Sequence, residues 1–336
     1  MKKANTNLVK EINLNIVRQV MKRVEMATKP QLAALTKLSV VTVNSLVKEL
    51  HERGELFEDE TVPSNGGRPA LTYRYNYDFS QALVIHMKEI QGSELLISAA
   101  VINLEDRTLE KEEYVMPVFH VQPFYDNINR LLDSFPSIKR IGIGIPGQMA
   151  DGEIRVSSHR ELTGLRLVED LEQQFGLPVT VENDINAAIS GYCAKLEPEL
   201  KESYCVAGIY FPNQYPPGMG IYLDGKMIKG KHGMAGEIKF LPSAPDWYQE
   251  IAAETFLECA FQIIQTVNAV LAPDKFVIYQ NMTCADRWFP AWESYQLAHP
   301  MPTLPEIILQ DTFQQDFEAG MRWLTLKELE PALISN

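Results

Sequence analysis

The sequence predicts an α/β protein with a small, mainly helical domain at its N-terminus, and three observations predict it. From about residue 80 onward, short apolar runs alternate with amphipathic stretches, the order in which strands and helices succeed one another in α/β folds. Over residues 1–54, three apolar patterns of helical period follow one another instead. Charge divides at the same place. Of 31 Lys/Arg and 44 Asp/Glu, residues 1–54 hold ten and four, leaving 21 and 40 for the rest. A basic head of balance +6 on an acidic body of balance −19 makes the head the part able to meet a polyanion.

In the head, Ile16, Val17, Val20, Met21 and Val24 line one helical face. Thr28, Pro30 and Gln31 then read as a capping box opening a second helix, with Leu32 and Leu35 as its apolar face. Ser39 reads as the N-cap of a third helix ending at Gly54, whose Val43, Leu46, Val47 and Leu50 recur at i, i+3, i+4 and i+7. The other face of that helix offers Thr42, Asn44, Ser45 and Lys48: short hydroxyl and amide groups suited to base edges, and one cation for a phosphate. "ELFEDETVP", "SNGGRP" and "ALTYRYN" follow as a hairpin, with Arg68 at a glycine-rich tip suited to a narrow minor groove. The order is that of a winged helix-turn-helix over residues 1–76, binding double-stranded DNA through Ser39, Thr42, Asn44, Ser45, Lys48 and Arg68. A three-helix protein-interaction module is the alternative.

In the body, residues 77–336, "QALVIHMKE", "ELLISAAVINLED", "RIGIGIPGQMADGEI", "PVTVEN" and "CVAGIYF" read as strands. "FYDNINRLLDSF" and "LVEDLEQQFG" read as surface helices, and "FEAGMRWLTLKELEPALIS" as a helix packing back on the body. Polar chemistry gathers at two points. Asn183 and Asp184 stand at a strand-to-helix junction, where α/β folds bind ligands at the carboxyl edge of a sheet. An Asp there can take a proton from a sugar hydroxyl and an Asn can bond vicinal hydroxyls; a plain helix cap is the alternative. Glu237 follows the glycine-rich "GMAG", and its alternative is an exposed turn carboxylate.

Five segments, "SNGGRPALTYRYN", "IGIGIPGQMADGEI", "VTVENDINAAISGY", "GIYLDGKMIKGKHGMAGEI" and "IIQTVNAVLAPDKFVIY", resemble in order the ROK family of repressors, open reading frames and sugar kinases, from about Asn13 to Tyr279. The resemblance implies a two-lobed actin-like (ribonuclease H-like) ATPase fold behind the winged head, with a sugar in its cleft. It implies that Asn183 and Asp184 are the family's sugar-contacting pair, Asp184 standing at the kinases' catalytic base, and that Glu237 contacts sugar hydroxyls. Departures from the family set further expectations. Where the kinases carry a glycine-rich phosphate hairpin, this chain has His86, Lys88, Glu89 and one glycine, Gly92; the second phosphate loop carries Pro216 and Pro217, which lack amide donors. The histidine of the family's zinc site is replaced by Phe240, and no cysteine follows until Cys259.

The expectation is therefore a non-enzymatic regulator with no cofactor and no metal: a repressor of carbohydrate-utilisation genes, responding to a sugar or sugar phosphate, and a homodimer or homotetramer. A constitutive DNA-binding protein with a ligand-free dimerisation body is the first alternative, a sugar kinase the second. No apolar run approaches the ~18–20 residues of a membrane span, and "MKKANTNLVKEINLN" lacks the apolar core of a secretory signal. Four cysteines without a C-x-x-C pair fit reduced thiols, so a cytoplasmic location is expected.

Overall fold

The structure, a computed structural model, describes residues 2–64, 67–90, 94–197, 203–212, 215–242, 245–280 and 285–329. The head runs α1 (Lys2–Val24), β1 (Met26–Thr28), α2 (Lys29–Thr36), α3 (Val40–Glu52), β2 (Leu56–Ser64) and β3 (Gly67–Tyr75). The capping box is present: the Thr28 amide donates to Gln31 Oε1 at 2.8 Å, and the Gln31 amide donates to Thr28 Oγ1 at 3.4 Å. Val43, Leu46, Val47 and Leu50 are buried with Leu14, Val17, Met21, Leu32 and Tyr73 in one core. Leu35 is a correction. It is 43 % exposed, because the inward stripe of α2 passes through Leu32 with half-buried Ala33 and Thr36, leaving Leu35 at its border. The sheet order is β1-β3-β2, all antiparallel, β1 having given no signal in the sequence. A bidentate pair, Arg18 Nε to Glu55 Oε2 at 2.6 Å and Arg18 Nη2 to Glu55 Oε1 at 2.7 Å, ties α1 to the start of β2.

The body opens with an antiparallel meander of β4 (Gln81–Ile90), β5 (Glu94–Asn103) and β6 (Thr108–Met116), then α4 (Val121–Ser134) and β7 (Ile138–Ile145). A ribbon of β8 (Gly147–Ala150) and β9 (Glu153–Ser157) leads to α5 (Leu167–Phe175), β10 (Val179–Asn183) and α6 (Asp184–Ala194). The second half repeats the plan: β11 (Cys205–Phe211), β12 (Gly218–Leu223), β13 (Lys226–Met227), α7 (Ala253–Leu271), β14 (Lys275–Gln280), α8 (Ala285–Ala298), β15 (Glu306–Gln310) and α9 (Phe313–Lys327). Among the described residues the body thus forms two sheets of one design, β10-β7-β4-β5-β6 and β13-β12-β11-β14-β15. Each is a three-stranded antiparallel meander extended by two parallel strands.

Both faces of each sheet are covered, which is why the central strands read as continuous apolar runs. Leu83, Ile85 and Met87 of β4 face a core shared with α4 and α5, whereas Ala82 and Val84 face a second core shared with α6 and α9. Those two helices cross between the sheets. α6 follows the first sheet but packs on β11 and β12, while α9 follows the second sheet but packs on β4 and β7. Glycine makes the crossing possible: a Cβ on Gly320 would lie 1.7 Å from the Ala187 carbonyl oxygen, and one on Gly191 would lie 2.1 Å from that of Asp316. Asp316, buried at the same crossing, is satisfied by Lys195 Nζ at 2.5 Å, Tyr279 OH at 2.9 Å and Thr312 Oγ1 at 3.0 Å.

Candidate functional site

Strands β4, β7 and β10 run parallel and end together at a cleft between the two sheets, the edge at which such folds bind ligands. The cleft holds a cavity of about 230 Å³, large enough for a monosaccharide-sized molecule. Met87, Lys88 and Glu89 close one side; Gln148, Ser157, Asn183 and Asp184 form the floor; Gly218, Glu237, Lys239 and Tyr248 come from the second half. The structure therefore brings Asn183, Asp184 and Glu237 into one cavity from segments more than fifty residues apart.

Asn183 caps α6, its Oδ1 accepting from Asn186 N at 3.0 Å, and lines the cavity as well. Asp184 begins the helix, its Oδ1 accepting from Ile185 N at 2.7 Å. Burial pushes its carboxyl up to about 7; amide hydrogen bonds oppose this and the charge of Glu237 adds to it. Such a group can exchange a proton with a bound hydroxyl near neutral pH. Glu237 is placed by Gly236, whose φ of +90° and whose approach to the Met219 carbonyl leave no room for a Cβ. Lys239 Nζ lies 2.9 Å from Glu237 Oε2, a partner the sequence reading missed, although a lysine two residues on was the visible signal.

Three further contacts were not foreseen. Lys229 reaches from the second half to Glu182 Oε2 at 2.8 Å, beneath the cavity floor. His232 Nδ1 meets Asp151 Oδ1 at 2.6 Å beside it. The Tyr215 hydroxyl donates to Glu89 Oε1, joining the end of β4 to the β11–β12 connection across the cleft mouth. His86, Lys88 and Glu89 all lie within β4, and Gly92 is outside the described residues. His86 is edge-on to Phe317, and burial lowers its pKa to about 4, so it is neutral.

In the head, Asn44, Ser45 and Lys48 are exposed on α3, Lys48 lying 3.7 Å from Glu52. Ser39 Oγ accepts from Thr42 N at 3.1 Å and lies 2.8 Å from Thr42 Oγ1, so these two hydroxyls serve the cap. Arg68 lies on β3, but its side chain is outside the described ones. The sequence reading passed over Val40 and Val41, both exposed beside Asn44 and Ser45. Among the described residues there is no group of three or more His, Cys, Asp or Glu able to hold a metal ion, and Phe240 is exposed. No helix among them is long and apolar enough to cross a membrane.

Residues 94–248 match the ROK family, so a ROK domain is present. The chain is 25 % identical over 246 residues to the xylose repressor of Caldicellulosiruptor bescii, covering 70 % of this chain and 59 % of that protein. It is 23 % identical over 252 residues to the N-acetylglucosamine repressor of Escherichia coli O157:H7, covering 72 % and 60 %. The chain thus spans about 60 % of the length of the curated relatives it matches. Among solved structures, a ROK family transcriptional regulator described as a homolog of the E. coli MLC protein aligns at a TM-score of 0.59 and 17 % identity, covering 95 % of this chain and 99 % of that one. A ROK family glucokinase from Streptomyces griseus, in complex with glucose and AMPPNP, aligns at 0.54 and 16 %, covering 74 % and 100 %. At these identities the likeness is one of fold.

Proposed function

We propose that this chain, carrying a ROK domain, is a sequence-specific DNA-binding transcriptional regulator. In this reading it is a cytoplasmic repressor of carbohydrate-utilisation genes, working as a homodimer or homotetramer, with a sugar or sugar phosphate as effector. One observation carries the reading: a three-helix, three-strand head with an exposed polar stripe on α3 is joined to a cleft that gathers Asn183, Asp184 and Glu237. The head is then a winged helix-turn-helix, α3 entering the major groove and the β2–β3 hairpin serving as wing. The cleft is a sensor without phosphoryl transfer, because the first phosphate grip of the kinases is replaced by a carboxylate, Glu89, hydrogen-bonded to Tyr215.

A packed route supports coupling between cleft and head. α6 begins with Asp184 and crosses α9; Arg322 of α9 donates from Nε to Asp106 Oδ1 at 2.6 Å and from Nη1 to Thr108 Oγ1 at 3.0 Å. Asp106 lies in the β5–β6 turn with Leu104, whose amide donates to the Tyr77 carbonyl at 3.0 Å. The Tyr77 hydroxyl donates to the Lys22 carbonyl in α1 at 2.9 Å. A ligand that prefers one cleft opening would shift the heads by its differential affinity for the two states.

The test is binding of labelled promoter DNA from the gene's own neighbourhood, with and without a panel of monosaccharides and their phosphates. Release or tightening by one sugar is expected; absence of DNA binding under all conditions refutes the reading. A constitutive DNA-binding protein with a ligand-free body is the second reading, favoured by the Lys239–Glu237 pair, which already occupies that carboxylate. Thermal shift separates the two, since a ligand at 100 times its Kd adds ~2.7 kcal/mol to stability.

A further inference from the structure

We infer that Val40 and Val41, in the first turn of α3, read the methyl groups of thymines in the major groove; this rests on the DNA-binding reading above. Val41 is 79 % exposed and Val40 is 53 % exposed. Val41, Asn44, Ser45 and Lys48 stand at i, i+3, i+4 and i+7, so they form one stripe directly opposite the buried stripe of Val43, Leu46, Val47 and Leu50. Valine has a low helix propensity, and Val41, 79 % exposed, gains little from the core, so local folding does not account for it; Val40, half-covered, borders it at the edge of the buried stripe.

The occupant that fits is duplex DNA. The two valines are bordered by polar groups and flanked by exposed Lys37 and Lys48, on a head of balance +6 attached to a body of balance −19. Two side chains offer far less than the ~800 Å² per partner of a stable protein interface. In the major groove, the edge of each base pair is a row of donors and acceptors, with one apolar group, the C5 methyl of thymine. An aliphatic pair beside an Asn and a Ser therefore selects T·A pairs next to positions read by hydrogen bonds. Each methyl covered contributes roughly four-fold in affinity, the worth of about one buried methylene.

The test uses the full chain in two steps. Preferred sites are first selected from a random-sequence duplex pool. Each thymine of the selected site is then replaced by deoxyuridine, which lacks only the methyl. The expected result is a loss of roughly four-fold at one or two thymines per half-site. That loss should shrink in Val41→Ala or Val40→Ala, while the other thymines behave as before. Alanine raises helix propensity, so these variants keep the fold, checked by circular dichroism. Enrichment of a site at which no deoxyuridine alters binding, or an undiminished deoxyuridine penalty in both alanine variants, overturns the inference and leaves the DNA-binding reading standing. Val41→Ala changing the oligomeric mass without changing DNA affinity overturns it in favour of a protein contact. Failure to enrich any sequence refutes the DNA-binding reading itself and takes this inference with it.

Discussion

Replacing Asp184 by Asn tests the electrostatics of the cleft floor. Burial is the main cause that raises this carboxyl from 3.8 to about 7. Between about pH 4 and about pH 7 the folded chain holds a proton that the unfolded chain has released. The unfolded state binds fewer protons there, so this group's contribution to stability falls as pH rises through the window and stays low above it. A rise of that size corresponds to about 4 kcal/mol, and water reaching the half-buried carboxyl reduces this to about 2–3 kcal/mol. Asn has the same shape, keeps an acceptor for the Ile185 amide 2.7 Å away, and carries no charge. Asp184→Asn should therefore be the more stable protein by about 2–3 kcal/mol near pH 8, with the gap narrowing to about 1 kcal/mol near pH 4.5. Urea unfolding followed by tryptophan fluorescence at several pH values measures the gap directly. A gap that does not change with pH, or an Asn variant less stable than wild type near pH 8, would refute the reasoning. Confirmation would mark the cleft floor as a place where stability is given up to hold a buried ionisable group.

Three other outcomes are expected. Gly320→Ala should lower stability by about 1–3 kcal/mol or more despite the better helix propensity of alanine, because the new Cβ meets the Ala187 backbone; a Tm equal to or above that of wild type sinks the idea. Thr28→Ala removes the buried half of the capping box and should cost about 1 kcal/mol, read as an earlier melting of the head in hydrogen exchange, with the body unchanged. Arg322→Met cuts the link between α9 and the β5–β6 turn; sugar affinity and unliganded DNA affinity should stay within about two-fold, while the effect of one on the other weakens by about 0.5–2 kcal/mol in a paired titration. Unaltered coupling in that titration removes the packed route from the mechanism.

Local features were legible and long-range ones were not. The capping box, the Ser39 cap and the buried stripe of α3 each span fewer than a dozen residues, so one sequence window contains the whole physical cause. β1 has three residues, too few to show a period, and exists because Met26, Ala27 and Thr28 find β3 as a partner. Leu35 was misjudged because a stripe on an eight-residue helix has borders as wide as itself. In the body the strands were visible as apolar runs, but the exchange of α6 and α9 between sheets depends on a close approach of Gly191 and Gly320, which no window holds together. The Glu89–Tyr215 bond and the Lys229–Glu182 pair were hidden for the same reason.

At Asn183 a helix cap and a place in the cavity lining are one and the same position, so the cap does not exclude the ligand contact proposed above. A parallel strand ends at the carboxyl edge of its sheet, and the helix that follows presents its first unpaired amides at that edge. A residue that satisfies one of those amides therefore already stands at the mouth of the crevice. Asn183 does both: its Oδ1 holds Asn186 N while the residue lines the cavity. Capping fixes the rotamer, and a fixed rotamer is what an amide needs in order to present a ligand group in one direction. Glu237 reaches the same cavity by a different route, a glycine pressed against β12, and there the sequence did carry a local clue to the electrostatics. Lys239, two residues on in the same tight turn, stands 2.9 Å from that carboxylate and offsets its charge at the cavity wall.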